Sequence, residues 1–434
     1  MHAKPDLRVF FEVEIAGSGS VITNVIWLNH MVTAIDEPDE TNPKRWRLRI
    51  SLRSLLFITL VLCLYLAWLG NLLIRVHQQR NVVTKIQSLG GEYYFDYQLA
   101  GKNIQANPPP GPRFIRAIIG DDAFAYVEAV YLNDAVKNTD ADLAILTELP
   151  RLKDVVVYGP NVTDDGMKYI ANIPTLRGLT LNETNVTSDG LARLRSATDF
   201  VGLTLYGATV TDETLKALNQ IPELQYLQLV RTEVTSTGLV HLAELTKLRE
   251  LDVLEGPAIG DDGMQYLANL TNLEILQLLK TSVSDDGLLH LRKLRRLKSL
   301  NLDQTSVSNT GMDHLVGFNG LTHLRLGYTK VGDAGLQAIA KIDSLQHLEI
   351  GGAKITDAGI IHVAKMPNLQ SLGIYPSNVS NTGILKLKSL PQLKRLSLGP
   401  HITEDAATQL RDSMPRCHID AWDKAGTISF TLSK

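Results

Sequence analysis

The sequence has little with which to build a disulfide or metal framework. In 434 residues there are two cysteines, Cys63 and Cys417. They lie far apart, and no zinc-type Cys/His spacing can be assembled around them. Aromatic residues make up only 6% of the chain, so any core must be largely aliphatic. Charge is nearly balanced, at 43 Lys and Arg against 46 Asp and Glu, a formal net charge of −3. That balance does not point to a polyanion as partner. There is no HExxH, P-loop, strand-following GxGxxG or CxxC, and the GSGS at 17–20 lacks the strand–turn–helix setting of a nucleophile elbow. Nothing argues for catalysis, and no cofactor or metal site is expected. The basic run LRKLRRLKSL at 291–300 falls at a return between helix and strand, where it reads as a solvated edge and not as a nucleic-acid site.

What the chain does have is one long uncharged run, SLLFITLVLCLYLAWLGNLLI, 21 residues from Ser54 to Ile74. At about 1.5 Å per residue this covers the roughly 30 Å hydrocarbon core of a bilayer. The run is too long for a cleaved signal peptide and no small-x-small site follows it. Leu62 precedes Cys63 where a lipoprotein signal would want a small residue. A transmembrane helix is therefore expected over 55–74, after an N-terminal tail (1–43) and a basic flank (44–54). Lys44, Arg45, Arg47, Arg49 and Arg53 stand before it, and Arg75, Arg80 and Lys85 after it. The excess predicts a cytoplasmic N-terminus, with the long C-terminal part outside the cytoplasmic membrane. No periodicity is sustained over the tail, and the sequence also permits translation from Met31. Residues 75–125 read as a juxtamembrane helix stopped at Gly90-Gly91, then a strand and an N-terminal cap, with ANPPPGP (106–112) as a surface loop.

Beyond this the chain repeats itself. Aligned on their first apolar residue, repeats begin at Leu152, Leu176, Phe200, Leu224, Leu248, Leu273, Leu297, Leu321, Leu345, Leu369 and Leu393. Nine of the ten steps are 24 residues and one is 25; with a weaker repeat from Val127 they make about twelve repeats over 126–415. Positions 4 and 6 alternate with polar neighbours, as in a strand with one buried face. Positions 16, 19 and 22 mark one face of a short helix. No such repeat can bury its own apolar face, but a stack can, with the strands as one wall and the helices as the other. Residues 416–434 are expected to supply a last strand, Cys417 to Ala421, and a polar tail.

The tetrapeptide Ser284-Asp285-Asp286-Gly287 looks like half of a calcium loop. Sister repeats read TDDG (163–166), TSDG (187–190), SNTG (308–311) and GDAG (332–335), the acids giving way to Ser, Asn, Thr or Ala. What persists is a Ser or Thr suited to cap a helix and small polar residues at its positive end. The motif is repeat grammar, because the fixed oxygen ligands and terminal Glu of a calcium loop are absent.

The pattern L-x-x-L-x-L-x-x-T-x-V-[ST]-D-x-G-L-x-x-L-x-x-L resembles the leucine-rich repeat family, in its bacterial variant with Thr at position 9. Together with RWRLRISLRSLL, IQSLGGEYYFDYQ (86–98) and FIRAIIGDDAF (114–124), it is similar to single-pass bacterial leucine-rich-repeat proteins. The resemblance implies an α/β solenoid, a curved stack with a parallel sheet on its concave face and short helices on its convex face. It implies a binding surface and carries no catalytic residues.

Positions 3, 5, 7 and 8 should point away from the core. In the middle repeats they include Tyr226, Val230, Leu254, Ile275 and Leu279, expected to form one apolar cluster rimmed by Arg231, Glu250, Asp252 and Lys280. Farther on come His323, Arg325, Tyr328, His347 and Tyr375; the two histidines share position 3 on consecutive strands, and Arg325 is placed to pair with Glu349. An apolar centre with a charged rim suits a protein or peptide ligand. The expected function is thus a membrane-tethered recognition scaffold. A cytoplasm-facing adaptor and an envelope-polysaccharide binder are the alternatives.

Overall fold

A computed structural model describes residues 11–14, 47–50, 52–99, 108–422 and 428–432. The chain divides into two parts, residues 1–78 and 79–434. In the first, strands Phe11–Glu14 and Arg47–Ile50 pair antiparallel, with Glu12 opposite Arg49 and Glu14 opposite Arg47. The sequence periodicity had shown no strand in the tail; four residues are too few to establish one. The rest of the tail, Met31 included, lies outside the described residues.

Helix Leu52–Ser88 runs 37 residues without a break and ends just before Gly90, which takes φ +72°. It is the one described helix long and apolar enough to cross a membrane. From Gln79 onward it belongs to the second part, where Val82, Ile86 and Leu89 join the hydrophobic core. The buried Gln79 carboxamide seals the end of that core: Nε2 donates to the Ala125 carbonyl and Oε1 accepts from the Val127 N–H.

The second part is built on a fifteen-stranded sheet whose strands follow in chain order. From Val127–Leu132 through His418–Trp422 every neighbouring pair is parallel and steps on by one repeat. Each edge is closed by an antiparallel strand, Glu92–Phe95 on Val127–Leu132 and Ile428–Leu432 on His418–Trp422. Sheet edges expose unpaired backbone, and closing strands limit that liability. The last of them falls in what reads by sequence as a polar tail.

Positions 4 and 6 face inward as expected; Leu276 and Leu278, for example, are fully buried. Truncating such a leucine to alanine costs about 2–5 kcal/mol. Cys417 is also buried, and burial pushes its thiol up to about 11, which leaves it an inert packing residue at neutral pH. Helical segments, α or 3-10, follow each turn and form the opposite wall.

The turn chemistry is more specific than a helix cap. The first acid of SDDG, Asp285, accepts from the backbone N–H (2.7 Å) and the hydroxyl (2.5 Å) of Ser308 in the next repeat. Ser284 in turn donates to Asp261 of the previous repeat and makes no cap bond to its own helix. The same staple joins Asp140 to Thr163, Asp164 to Thr187, Asp212 to Thr235, Asp333 to Thr356 and Asp357 to Ser380. Gly at position 15 leaves room for it. A Cβ on Gly311 would lie 2.4 Å from Asp285 Oδ1, and one on Gly287 would lie 2.4 Å from Asp261 Oδ1.

Candidate functional site

A strand places alternate side chains on opposite faces, so positions 3, 5 and 7 form three separate rows across the outer face of the sheet. The register puts Tyr226, Glu250 and Ile275 side by side in row 3, and Gln228, Asp252 and Gln277 in row 5. Val230 and Leu254 are neighbours in row 7, and the Leu279 carbonyl, next in line, accepts from Glu255 N–H.

The expected single apolar cluster is therefore split. Glu250 separates Tyr226 from Ile275, and the polar row 5 separates both from Val230, Leu254 and Leu279. Nor is Asp252 a rim residue, being 4% exposed. Its Oδ2 accepts from Gln228 Nε2 at 2.9 Å, while Oδ1 is buried without a hydrogen-bond partner among the described residues. Burial pushes the Asp252 carboxyl above the ordinary range, against the pull of the Gln228 and Gln277 amides. Glu250 is raised too, by burial and by Asp252. Arg231 and Lys280 do form a rim, both on Glu255 at 2.9 and 3.3 Å, and Arg231 also donates to the Tyr206 hydroxyl.

Toward the C-terminus, Arg325 bridges Asp303 (2.8 Å) and Glu349 (3.0 Å), so the pair read from sequence is one arm of a larger network. Tyr375 donates to Glu349 at 2.6 Å, and burial together with that bond drives its phenol well above the usual range. The Tyr328 ring stacks toward Tyr375 at 6.5 Å. His323 and His347 stack at 4.1 Å and 8°. Burial lowers both, and His347 is lowered further by His323 and Arg395, so the pair is neutral near pH 7. Among the described residues no group of three or more His, Cys, Asp or Glu is placed to hold a metal ion.

A third region was not read from the sequence. In row 3, Gly178 and Gly202 stand between Asp154 and Tyr226, leaving a groove of about 360 Å³ on the sheet. Tyr131 lines it at one side, Thr180 and Thr204 lie beside the glycines in row 5, and Glu250 with Asp252 close the far end. Burial raises the Asp154 carboxyl, offset in part by Arg177. The signal was present in the sequence, as glycine at position 3 of two consecutive repeats, each time before LTL.

The family model for the leucine-rich repeat region matches residues 203–420. The chain belongs to the leucine-rich repeat family. Among solved leucine-rich-repeat folds it is similar to an internalin (inlF) of Listeria monocytogenes str. 4b F2365. Identity there is 24%, over 65% of this chain and 76% of that one, with a TM-score of 0.48. An internalin C2 (inlC2) from the same organism is 25% identical over 48% of this chain and 82% of its own, at TM-score 0.36. The yeast Rad7–Elc1 complex gives 16% identity, coverage of 69% and 84%, and TM-score 0.46. No curated protein matches the chain. The groove and the Arg325 network are set by the outer-facing positions of this chain's strands.

Proposed function

We propose that the chain is a recognition scaffold, tethered to a membrane by the helix at 55–74, that binds protein or peptide partners through the strand face of its repeats. Leucine-rich repeat solenoids generally serve protein–protein binding. The observation that carries the reading here is that bulky side chains stand out from an otherwise regular polar face. Tyr226 and Tyr328 are 42% and 58% exposed, and Val230, Leu254 and Leu279 line row 7 half-buried. Aromatic anchors with charged neighbours are a usual composition of binding surfaces. By the positive-inside rule the N-terminus is cytoplasmic and the repeats face outward.

Site-specific photocrosslinking tests the face. A photoreactive residue at Tyr226 or Tyr328 should give a discrete adduct in cells, and one at Val240 or Ile361, equally exposed on the helix wall, should not. Leu254→Asp with Ile275→Asp should leave folding intact and abolish the adduct. Adducts from the helix wall alone would overturn the assignment. For topology, Cys63 and Cys417 are replaced by Ser, Ser433→Cys is introduced, and cells made permeable only at the outer layer receive an impermeant maleimide. Labelling is expected there; labelling only after lysis of the inner membrane would make the protein a cytoplasm-facing adaptor.

A further inference from the structure

The groove over Gly178 and Gly202 rests on the strand-face reading above but has a chemistry of its own. Its lining carries three carboxylates, Asp154, Glu250 and Asp252, and no lysine or arginine. Nearby cations are engaged elsewhere: Lys153 is on Glu128 at 2.6 Å and Arg249 on Glu274 at 2.5 Å. Arg177, and more weakly Lys153, draw on Asp154, at the end of the groove away from Asp252.

An acidic lining by itself would be a solvated surface. The second observation is Asp252, 4% exposed and lining the groove, whose Oδ1 has no hydrogen-bond partner among the described residues. A buried carboxylate oxygen left without a hydrogen bond is costly, and more so when it carries charge. An arriving N–H donor with positive charge removes that cost. The glycine at 202 is informative in the same direction. A Cβ there would find no atom nearer than 3.7 Å, and its φ is not in the left-handed region, so the backbone does not require glycine. What the glycine provides is empty space above the sheet.

Four strand steps of about 4.8 Å separate Asp154 from Glu250, roughly 19 Å in all. That is the length of an extended segment of about six residues. The rings of Tyr131 and Tyr226, along the same groove, suit the flank of a cation. We propose that this groove is a subsite for an extended basic peptide segment, with a lysine or arginine side chain of the partner seated against Asp252 and Glu250.

The test uses the full chain in detergent and a fluorescein-labelled peptide, Gly-Lys-Gly-Gly-Lys-Gly, read by anisotropy. Its Nε-acetylated form, the Glu analogue and a neutral oligosaccharide serve as competitors. The lysine peptide should bind, and acetylation should weaken it about tenfold or more. Asp252→Asn keeps the oxygen that accepts from Gln228, and Gly202→Val fills open space. Both variants should stay folded and lose about tenfold or more in affinity. The exposed control Glu223→Gln should change nothing. Equal affinity for the acetylated peptide, insensitivity to both groove variants, or preference for the oligosaccharide would each overturn the subsite. If the crosslinks from Tyr226 and Tyr328 persist when the peptide result fails, the face remains a binding face and only its proposed ligand chemistry is wrong.

Discussion

At the scale of single residues, the staple turns an apparent freedom of sequence into a rule. Every Asp at position 13 is followed, one repeat later, by a hydroxyl at position 12. Where position 12 is Gly260 or Gly332, with no hydroxyl to offer, the preceding partner is Ser236 or Asn309, which accepts backbone N–H groups only. Where position 15 is Thr214 instead of glycine, the preceding position 13 is Ser188, and Thr214 accepts from Thr211 N–H itself. The acids read from sequence as freely exchanged are thus matched to residues 23 positions away, which a comparison of the tetrapeptides alone could not show. Asp285→Ala should cost about 1–3 kcal/mol in urea unfolding. Gly311→Ala should cost a similar amount by crowding Asp285. Asp285→Ser with Gly311→Thr recreates the natural Ser188/Thr214 pairing, so the double variant should lose about 1 kcal/mol less than the two single changes summed.

Asp252 gives a second residue-scale expectation. Because its carboxyl is held above the unfolded value, the folded state binds a proton more readily, and the cost of ionisation appears as pH rises through the raised value. Asp252→Asn removes that cost. Its Tm should match the parent near pH 4 and exceed it increasingly toward pH 7. A Tm difference that shrinks with rising pH would contradict the assignment. Asp212 and Asp357 act in the opposite sense. Burial raises them, but donors from the next repeat outweigh it and hold them low, so their contribution is lost as pH falls.

At the scale of elements, the strand and the short helix were legible because the apolar period changes from two to three within each repeat. The backbone between them was not. Position 8 adopts left-handed φ in nine consecutive repeats, with ordinary side chains at Glu183, Arg231, Glu255, Lys280, Gln304 and Tyr328 and glycine at 159, 207 and 352. Left-handed backbone costs a non-glycine residue about 1–2 kcal/mol, a strain that leaves no mark in hydrophobic spacing. Gln304→Gly should therefore stabilise the chain by up to about 1 kcal/mol in urea, after glycine's greater unfolded entropy is deducted. The threonines at position 9 likewise turn inward on their own repeat. Thr281 and Thr305 donate to the carbonyls three residues back, Leu278 and Leu302, so they form no ladder between repeats. At the N-terminal end, Gln79→Leu would leave the Ala125 carbonyl and the Val127 N–H without partners. A loss of about 1–3 kcal/mol is expected, with faster hydrogen exchange confined to Val127–Leu132.

At the scale of the whole molecule, the solenoid and its two walls follow from 24-residue self-similarity, whereas the closing strand Ile428–Leu432 and the binding face do not. Its character depends on which outer residues meet across strands. Tyr226 and Ile275 share a row yet are parted by Glu250, and Gly178 and Gly202 matter through what they leave out. Stability in such a stack is close to a sum of repeat and interface terms. Deleting residues 416–434 should accordingly fray the strand Arg395–Leu398 first, visible as hydrogen exchange there, and leave the strands before His347 protected.

The staple also gives the stack a reading direction. Each repeat presents a carboxylate or its substitute forward and a matching donor backward, so adjacent repeats fit as plug and socket. A tandem copy of the repeat that carries both Gly332 and Asp333 would set the first copy's carboxylate against the second copy's glycine, which has no hydroxyl. Duplication, deletion or shuffling of repeats is therefore tolerated only at junctions where plug and socket agree, and the order of the repeats is itself inherited information.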